Sequence, residues 1–150
     1  MRIFVDADAC PKLVKEILYK AAIRTKTELI LVANQFLQTP PSPLIRVIQV
    51  SSGFDVADRR IVDETNPGDI VITADIPLAD LVITKGGIAI NPRGQLYTHE
   101  NIKGKLATRD LMEHLRDNQM ISGGPGTFTK LDGHALANQL DRLLTAATKK

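Results

Sequence analysis

The sequence lacks the residue types on which several common sites depend. It contains no tryptophan, only 4% aromatic residues and a single cysteine, Cys10. One cysteine excludes an internal disulfide and a cysteine-rich zinc site, and it fits a reducing compartment. The three histidines do not have the close spacing of zinc ligands. Because the aromatic residues are few and scattered, no stacking platform for single-stranded nucleic acid is predicted.

Long apolar runs and a strong net charge are also missing. No apolar run approaches the roughly 20 residues that a helix needs to cross a bilayer. The amino terminus has a strand pattern with aspartates instead of the pattern of a signal peptide. We therefore expect a cytoplasmic protein without a membrane partner. The net charge of +2 is too small to indicate nucleic-acid binding by itself, although basic residues outnumber acidic ones in residues 76–150.

Short apolar runs alternate with segments of helical periodicity along the chain. The predicted strands are residues 3–5, 28–33, 46–50, 69–73 and 88–90, with a small hairpin from the last strand to 95–97. The predicted helices are residues 11–24, 55–65, 98–117 and 130–146, and a short helix beginning near Pro77. Strands that alternate with helices predict a mostly parallel sheet covered by helices on both faces. We therefore expect one α/β domain over residues 1–150, a three-layer sandwich, with a disordered tail at 146–150.

Aspartates follow two of the predicted strands. Asp6 ends the first strand, and Asp75 follows the fourth. Because the carboxyl ends of parallel strands lie on one edge of a sheet, these two residues are candidates for neighbours in space. Other aspartates flank them or share a face of the helix between them: Asp8, Asp55, Asp58 and Asp80. Carboxylates gathered at one edge repel one another unless a cation is present, and their hard oxygen atoms suit magnesium or manganese.

Two interpretations of this aspartate set stay open. In the first, the carboxylates hold one or two divalent ions, which activate a water and stabilise an in-line phosphodiester displacement, as in a nuclease acting on RNA. In the second, Asp55 and Asp75 cap helices, while Asp58 and Asp80 belong to a solvated helix face. Asp8 is likewise either a ligand or the cap of the first helix.

Two other functions compete with the nuclease hypothesis. A phosphatase of the haloacid dehalogenase kind would use Asp6 as nucleophile and Asp8 as general acid, but Cys10 stands where such enzymes have threonine or valine. A noncatalytic RNA- or protein-binding module would keep the fold without turnover, since fold does not settle function.

Basic residues of the second half are candidates for contacts with a phosphate backbone. The candidates are Arg93, Lys103, Lys105, Arg109 and Lys130. Lys105 and Arg109 share one face of the helix predicted at 98–117, and Lys130 begins the last helix after a glycine-rich loop at 122–126. The alternatives are a solvated helix face, with Arg109 paired to Glu113, and a purely structural turn.

Cys10 stands at the start of the first predicted helix, beside Pro11. A helix amino terminus can lower the pKa of a thiol and make it reactive. The alternative is a small packing residue without chemistry of its own.

Three segments carry most of these aspartates. They are Val5-Asp6-Ala7-Asp8, Asp55-Val56-Ala57-Asp58-Arg59-Arg60-Ile61 and Val71-Ile72-Thr73-Ala74-Asp75. Their order is similar to the pattern of PIN-like nuclease domains. Four motifs match a narrower group: Asp6-Ala7-Asp8-Ala9-Cys10-Pro11, Thr73-Ala74-Asp75-Ile76-Pro77-Leu78-Ala79, Asn91-Pro92-Arg93-Gly94 and Gly123-Gly124-Pro125. Over essentially its full length the chain resembles the YaiI/YqxD family of small bacterial proteins, a family of unknown function grouped with the PIN-like superfamily.

The resemblance implies a PIN-like fold and, by analogy with active PIN nucleases, a magnesium or manganese site at Asp6, Asp58 and Asp75. It leaves Asp8, Asp55 and Asp80 as further candidate ligands. The chain departs from the expected pattern after Asp132. There, Gly133-His134-Ala135-Leu136 stand in place of an arginine and an aromatic residue. This departure argues against a binding role for the start of the last helix.

Overall fold

Five short strands and the helices around them follow the predicted order. The computed structural model describes residues 1–53, 56–105, 107 and 129–148. The strands are β1 (Arg2–Asp6), β2 (Glu28–Ala33), β3 (Ile45–Gln49), β4 (Ile70–Ile72) and β5 (Ile88–Ile90). The helices are α1 (Lys12–Thr25), α2 (Val56–Glu64), α3 (Ile76–Thr84), α4 (residues 99–105) and α5 (Lys130–Thr148), and a 3₁₀ turn spans Ala7–Ala9.

The strands form one sheet in the order β3-β2-β1-β4-β5. Every strand pair of the described sheet is parallel, and β1 lies between β2 and β4, with Phe4 opposite both Ile30 and Val71. The predicted hairpin after β5 is reduced to one antiparallel bridge between Ile90 and Leu96. The expected mostly parallel α/β sheet is confirmed.

Helices cover both faces of this sheet, which gives the three layers. Ile3 and Val5 of β1 belong to the apolar layer that includes the buried faces of α1 and α5. Phe4, between them, belongs to the layer that includes α2, α3 and α4. All three side chains are at most 1% exposed. Such burial on both faces explains why the residues between the ends of the central strand β1 form a continuous apolar run without polar alternation.

The ends of the last two helices differ from the prediction. Thr98 caps α4 as predicted, since its Oγ1 accepts from the Asn101 amide at 3.1 Å. The predicted continuation of this helix to 117 and the glycine-rich loop at 122–126 lie outside the described residues. Helix α5 continues to Thr148, so residues 146–148 are helical where a disordered tail was predicted. Within the described part of the chain, none of the helices combines the length and apolar character that a membrane span requires.

A buried ion pair joins the amino terminus to the start of β4. Asp69 is 4% exposed and accepts hydrogen bonds from the Arg2 backbone amide and the Arg2 guanidinium, both at 3.0 Å. Its Oδ2 also accepts from the Asn66 amide at 2.9 Å. Because several donors satisfy the carboxylate, its burial is tolerated and helps to align β1 with β4.

The turn at residues 91–94 packs against the start of α5. Gly94 has φ +88°, and a Cβ built on it would lie 2.5 Å from the carbonyl carbon of Ala135. Arg93 donates to Asp132 at 3.2 Å, and Asp132 also accepts from the Thr129 amide at 2.9 Å. The turn therefore packs against residues 133–136, the segment that departs from the family pattern.

Candidate functional site

The direction in which the chain adds strands to the sheet reverses between β1 and β4. From β1 the chain crosses to β2 through α1 on one face, and from β4 it crosses to β5 through α3 on the other face. The two connections diverge and leave a crevice beyond the carboxyl ends of β1 and β4. Open α/β sheets bind ligands at such a switch point.

A cleft of about 110 Å³ occupies this position. It is lined by Val5, Asp6, Cys10, Ile72, Thr73, Ala74, Asp75 and Pro92. Asp6 and Asp75 are 69 positions apart in sequence, and the parallel pairing of β1 with β4 brings them to one cleft. The structure thus places these two carboxylates as the strand pattern predicted.

Asp75 has a structural role in addition to its place in the cleft. It is the N-cap of α3, and its Oδ1 accepts from the Leu78 amide at 2.9 Å. Its own backbone amide donates to Thr73 Oγ1 at 2.9 Å. The helix-cap interpretation is therefore correct for Asp75 and does not conflict with the cleft, because a carboxylate has two oxygen atoms and the cap uses one.

Asp6 is held differently. It occupies the position before the 3₁₀ turn, and its side chain makes no capping hydrogen bond to that turn. It is half-buried at the end of β1. The pairing of Asp6 with Val32 of β2 fixes the backbone at this position.

Burial and the two carboxylates keep nearby acidic groups protonated. Burial raises the pKa of the Cys10 thiol to about 12, with Asp6 adding to the rise and Lys15 opposing it. Burial likewise raises the pKa of Tyr97 to about 12, and Asp75 adds to the rise. Cys10 also packs against the α1 side of the core. Of the two interpretations of Cys10, the packing residue is confirmed and the lowered pKa is wrong.

The remaining predicted ligands lie elsewhere or outside the described residues. Asp8 is exposed, and its Oδ2 accepts from the Asn34 amide at 2.7 Å, which ties the 3₁₀ turn to the end of β2. Asp58 lies in the first turn of α2, and Asp80 lies in α3, half-buried. Asp55 is outside the described residues.

The donor set of the cleft can be compared with what a divalent cation requires. Across residues 1–53, 56–105, 107 and 129–148, no three or more His, Cys, Asp or Glu side chains are grouped to hold a metal ion. The pair Asp6 and Asp75 nevertheless fits Mg²⁺, which proteins usually hold through one or two carboxylates while it keeps several waters. The protonated thiol of Cys10 leaves these oxygens as the cleft's natural ligands for a hard cation.

The predicted basic residues of the second half have different surroundings. Arg93 pairs with Asp132, and the Lys105 ammonium lies 5.7 Å from the centre of the Tyr97 ring. Lys103 and Lys130 are exposed at α4 and at the first residue of α5. Arg109 lies outside the described residues.

Several residues of this edge were missed by the sequence interpretation. Thr73 and Pro92 line the cleft, and Tyr97 donates from its hydroxyl to the Thr73 carbonyl at 3.3 Å. Thr73 directly follows β4 and Pro92 is the second residue after β5, so position after a strand was the signal available for them. Tyr97 had no such signal, because a long-range contact brings it there.

A second groove lies at the same edge, beyond β3. It has a volume of about 360 Å³. Its lining residues come from the end of β3 and from α2: Gln49, Val50, Ser51, Val56, Arg59, Arg60 and Asp63. Arg59 and Arg60 were quoted in the sequence only as part of a motif, and the structure shows that both line one groove.

Comparison with known proteins identifies the relatives of this chain. Residues 4–146 match the model of a family described as uncharacterized BCR, YaiI/YqxD family. A UPF0178 protein of Maridesulfovibrio salexigens is 55% identical over 150 residues, covering 100% of this chain and 99% of the relative. A UPF0178 protein of Hahella chejuensis is 58% identical over 149 residues, 99% of each chain, and one of Dechloromonas aromatica is 57% identical over 144 residues, 96% of each. No solved structure matches the chain. The family match and these identities over nearly the whole length show that the chain belongs to the YaiI/YqxD family.

Proposed function

We propose that this protein is a magnesium- or manganese-dependent nuclease that hydrolyses phosphodiester bonds in RNA. The observation that carries the proposal is the cleft at the switch point between β1 and β4, which Asp6 and Asp75 line together. Two carboxylates delivered by neighbouring strands to one crevice are a suitable donor set for a hard divalent cation.

The strand ends give these carboxylates fixed positions. Asp75 is anchored through Oδ1 at the start of α3, which orients its second oxygen independently of any ligand. Asp6 is anchored by the register of β1, in which it pairs with Val32. Preorganised ligands of this kind cost little reorganisation when an ion or a phosphate binds. In this proposal Asp6 and Asp75 are the direct ligands, and Asp58, Asp8, Asp55 and Asp80 are candidates for contact through waters that the ion keeps.

A bound divalent ion supplies an activated water and stabilises negative charge at the reacting phosphate. The chain itself supplies the walls of the cleft and the protonated groups around it. Cys10 and Tyr97 are neutral at physiological pH, and burial, which raises the pKa of each to about 12, keeps them so in more alkaline solution. They therefore add no negative charge that would repel a phosphodiester. Exposed basic residues of the second half, with Lys103 and Lys130 among them, contact the polyanion in this proposal.

The test combines manganese titration by calorimetry with cleavage of a generic RNA. The variant is Asp6→Asn/Asp75→Asn, because asparagine removes the charge while position 75 keeps a helix-capping oxygen. Glu16→Gln, at an exposed glutamate of α1 that lines neither the cleft nor the second groove, is the matched control. We expect manganese binding and cleavage in the wild type and in the control, and loss of both in the double variant. Unchanged manganese affinity in the double variant would refute the site.

The competing functions give different results in the same assays. RNA binding without cleavage at saturating manganese would identify a noncatalytic module. A trapped aspartyl-phosphate on Asp6 would identify a phosphatase. In such an enzyme Asp8 would be the general acid, whereas here the Asp8 carboxylate accepts a hydrogen bond from the Asn34 amide at 2.7 Å.

A further inference from the structure

Phe36 is the most exposed large apolar side chain in the described part of the protein. It is 81% exposed and follows the end of β2 by three positions. Single exposed apolar side chains are common at protein surfaces, so the meaning of this one depends on its surroundings.

The segment that carries Phe36 lies beside the cleft. Asp6 pairs with Val32 of β2, and the Asn34 amide donates to Asp8. Neighbouring strands are about 4.8 Å apart, and four extended residues reach at most about 14 Å. The backbone of Phe36 is therefore within about 19 Å of the backbone of Asp6. This is within reach of one short stretch of single-stranded nucleic acid.

The groove at β3 and α2 lies at the same carboxyl edge of the sheet. The strand order β3-β2-β1-β4 places the end of β3 at the groove, then the end of β2, which leads to Phe36, and then the Asp6–Asp75 cleft. Arg59 and Arg60 line the groove, and Glu64 holds the Arg60 guanidinium at 3.1 Å. The groove also contains one carboxylate, Asp63, and the polar side chains of Gln49 and Ser51. A guanidinium has five donors in a planar fork that matches a phosphate.

We propose that this edge is a track for single-stranded RNA. Phosphates bind at Arg59 and Arg60, a base stacks on Phe36, and the backbone continues into the Asp6–Asp75 cleft. The choice of RNA rests on the proposed function, and the preference for an unpaired strand follows from the exposed phenyl ring. A paired base has its faces covered by its neighbours in the duplex, whereas an unpaired base can stack on an aromatic side chain.

Tryptophan fluorescence tests the stacking contact directly. Since the chain has no tryptophan, Phe36→Trp introduces a single indole at this position. Ile23→Trp is the matched control, because Ile23 is 49% exposed and lies near the end of α1, which leads to the start of β2 and so to the amino edge of the sheet. Oligouridine is titrated into each variant in EDTA, where metal-dependent cleavage cannot occur, and the anisotropy of labelled RNA reports binding in parallel.

We expect the emission of the Phe36→Trp variant to be quenched over the same RNA concentrations at which anisotropy rises, with little quenching in the control. Phe36→Ala should weaken binding of the single strand by about 5- to 100-fold and leave binding of duplex RNA unchanged. Arg59→Gln should reduce the slope of log affinity against log salt by about 0.7, whereas Arg142→Gln, exposed on α5, should not change it.

These measurements distinguish failure of the proposed RNA track from failure of the proposed nuclease activity. Manganese-dependent cleavage together with RNA binding that leaves the Phe36→Trp emission unchanged would overturn the track and keep the proposed function. Quenching without cleavage at saturating manganese would support the track and refute the nuclease. If the wild type binds no single-stranded RNA at low salt, the track is refuted, and the cleavage assay decides the nuclease separately.

Discussion

Replacement of Gly94 by alanine tests how closely the 91–94 turn is packed on α5. Gly94 and Gly68 both have φ +88°, so alanine at either position meets the same backbone strain, about 1–2 kcal/mol. Only at Gly94 does the added Cβ collide with other atoms. It would lie 2.5 Å from the Ala135 carbonyl carbon and 2.6 Å from the Leu136 nitrogen, whereas nothing lies within 4 Å at Gly68.

The collision cannot be relieved by rotating a side chain, because its partners belong to the α5 backbone. Overpacking of this kind costs about 1–3 kcal/mol beyond the strain. We therefore expect Gly94→Ala to lower the free energy of unfolding by about 2–5 kcal/mol, and Gly68→Ala to lower it by about 1–2 kcal/mol.

Urea unfolding followed by far-ultraviolet circular dichroism measures the difference, since the chain has no tryptophan to follow. Pro92, in the same turn, lines the cleft. Gly94→Ala should accordingly weaken manganese binding as well, while Gly68→Ala leaves it unchanged. Equal destabilisation by the two substitutions would refute the close approach of the turn to α5.

Three further predictions concern the cap, the buried pair and the titrating groups. Asp75→Ala removes the cap of α3 and should cost about 1 kcal/mol, whereas Asp75→Asn should stay near the wild type; equal thermal unfolding of the two would contradict the cap. Asp69→Ala takes the acceptor from the Arg2 and Asn66 amides and the counter-charge from the partly buried Arg2 guanidinium, and should cost about 3 kcal/mol in urea unfolding, against less than about 0.5 kcal/mol for the exposed Asp63→Ala. Similar small losses at both positions would argue against the buried pair. The pKa of Cys10 rises from 9.0 to about 12 on folding and that of Tyr97 from 10.0 to about 12, so the unfolded chain loses these protons first. Stability should therefore fall between about pH 9 and pH 12, and Cys10→Ala should remove the part that begins near pH 9; an identical pH profile in that variant would contradict the Cys10 contribution.

The bounds of the strands were predicted well where they depend on residues that are neighbours in sequence. The predicted bounds of β2 and β5 coincide with Glu28–Ala33 and Ile88–Ile90, because each is an apolar run with polar or glycine residues at its ends. The fourth strand was predicted one residue too long at each end. At the first of these ends, the Asp69 carboxylate accepts from Arg2 just before β4 begins. Assigned element ends commonly vary by one or two residues.

The candidate site was predictable only in part. Asp6 and Asp75 were recognisable because each follows a buried strand, and parallel strands must end at the same edge. Asp8 also follows β1, two residues after Asp6. Its carboxylate nevertheless accepts from the Asn34 amide and does not line the cleft. Sequence spacing gives the edge on which a carboxylate lies, but the direction of each side chain depends on the hydrogen bonds it finds after folding.

The sequence by itself determined the alternation of strands and helices, the positions of the aspartates after strands and the family to which the chain belongs. Only the tertiary structure decided that β1 lies beside β4, that Phe36 is exposed and that Gly94 packs against α5. The physical reason is that hydrophobic periodicity acts over a few neighbouring residues. Strand order and side-chain exposure, in contrast, result from packing between segments that are far apart in the chain.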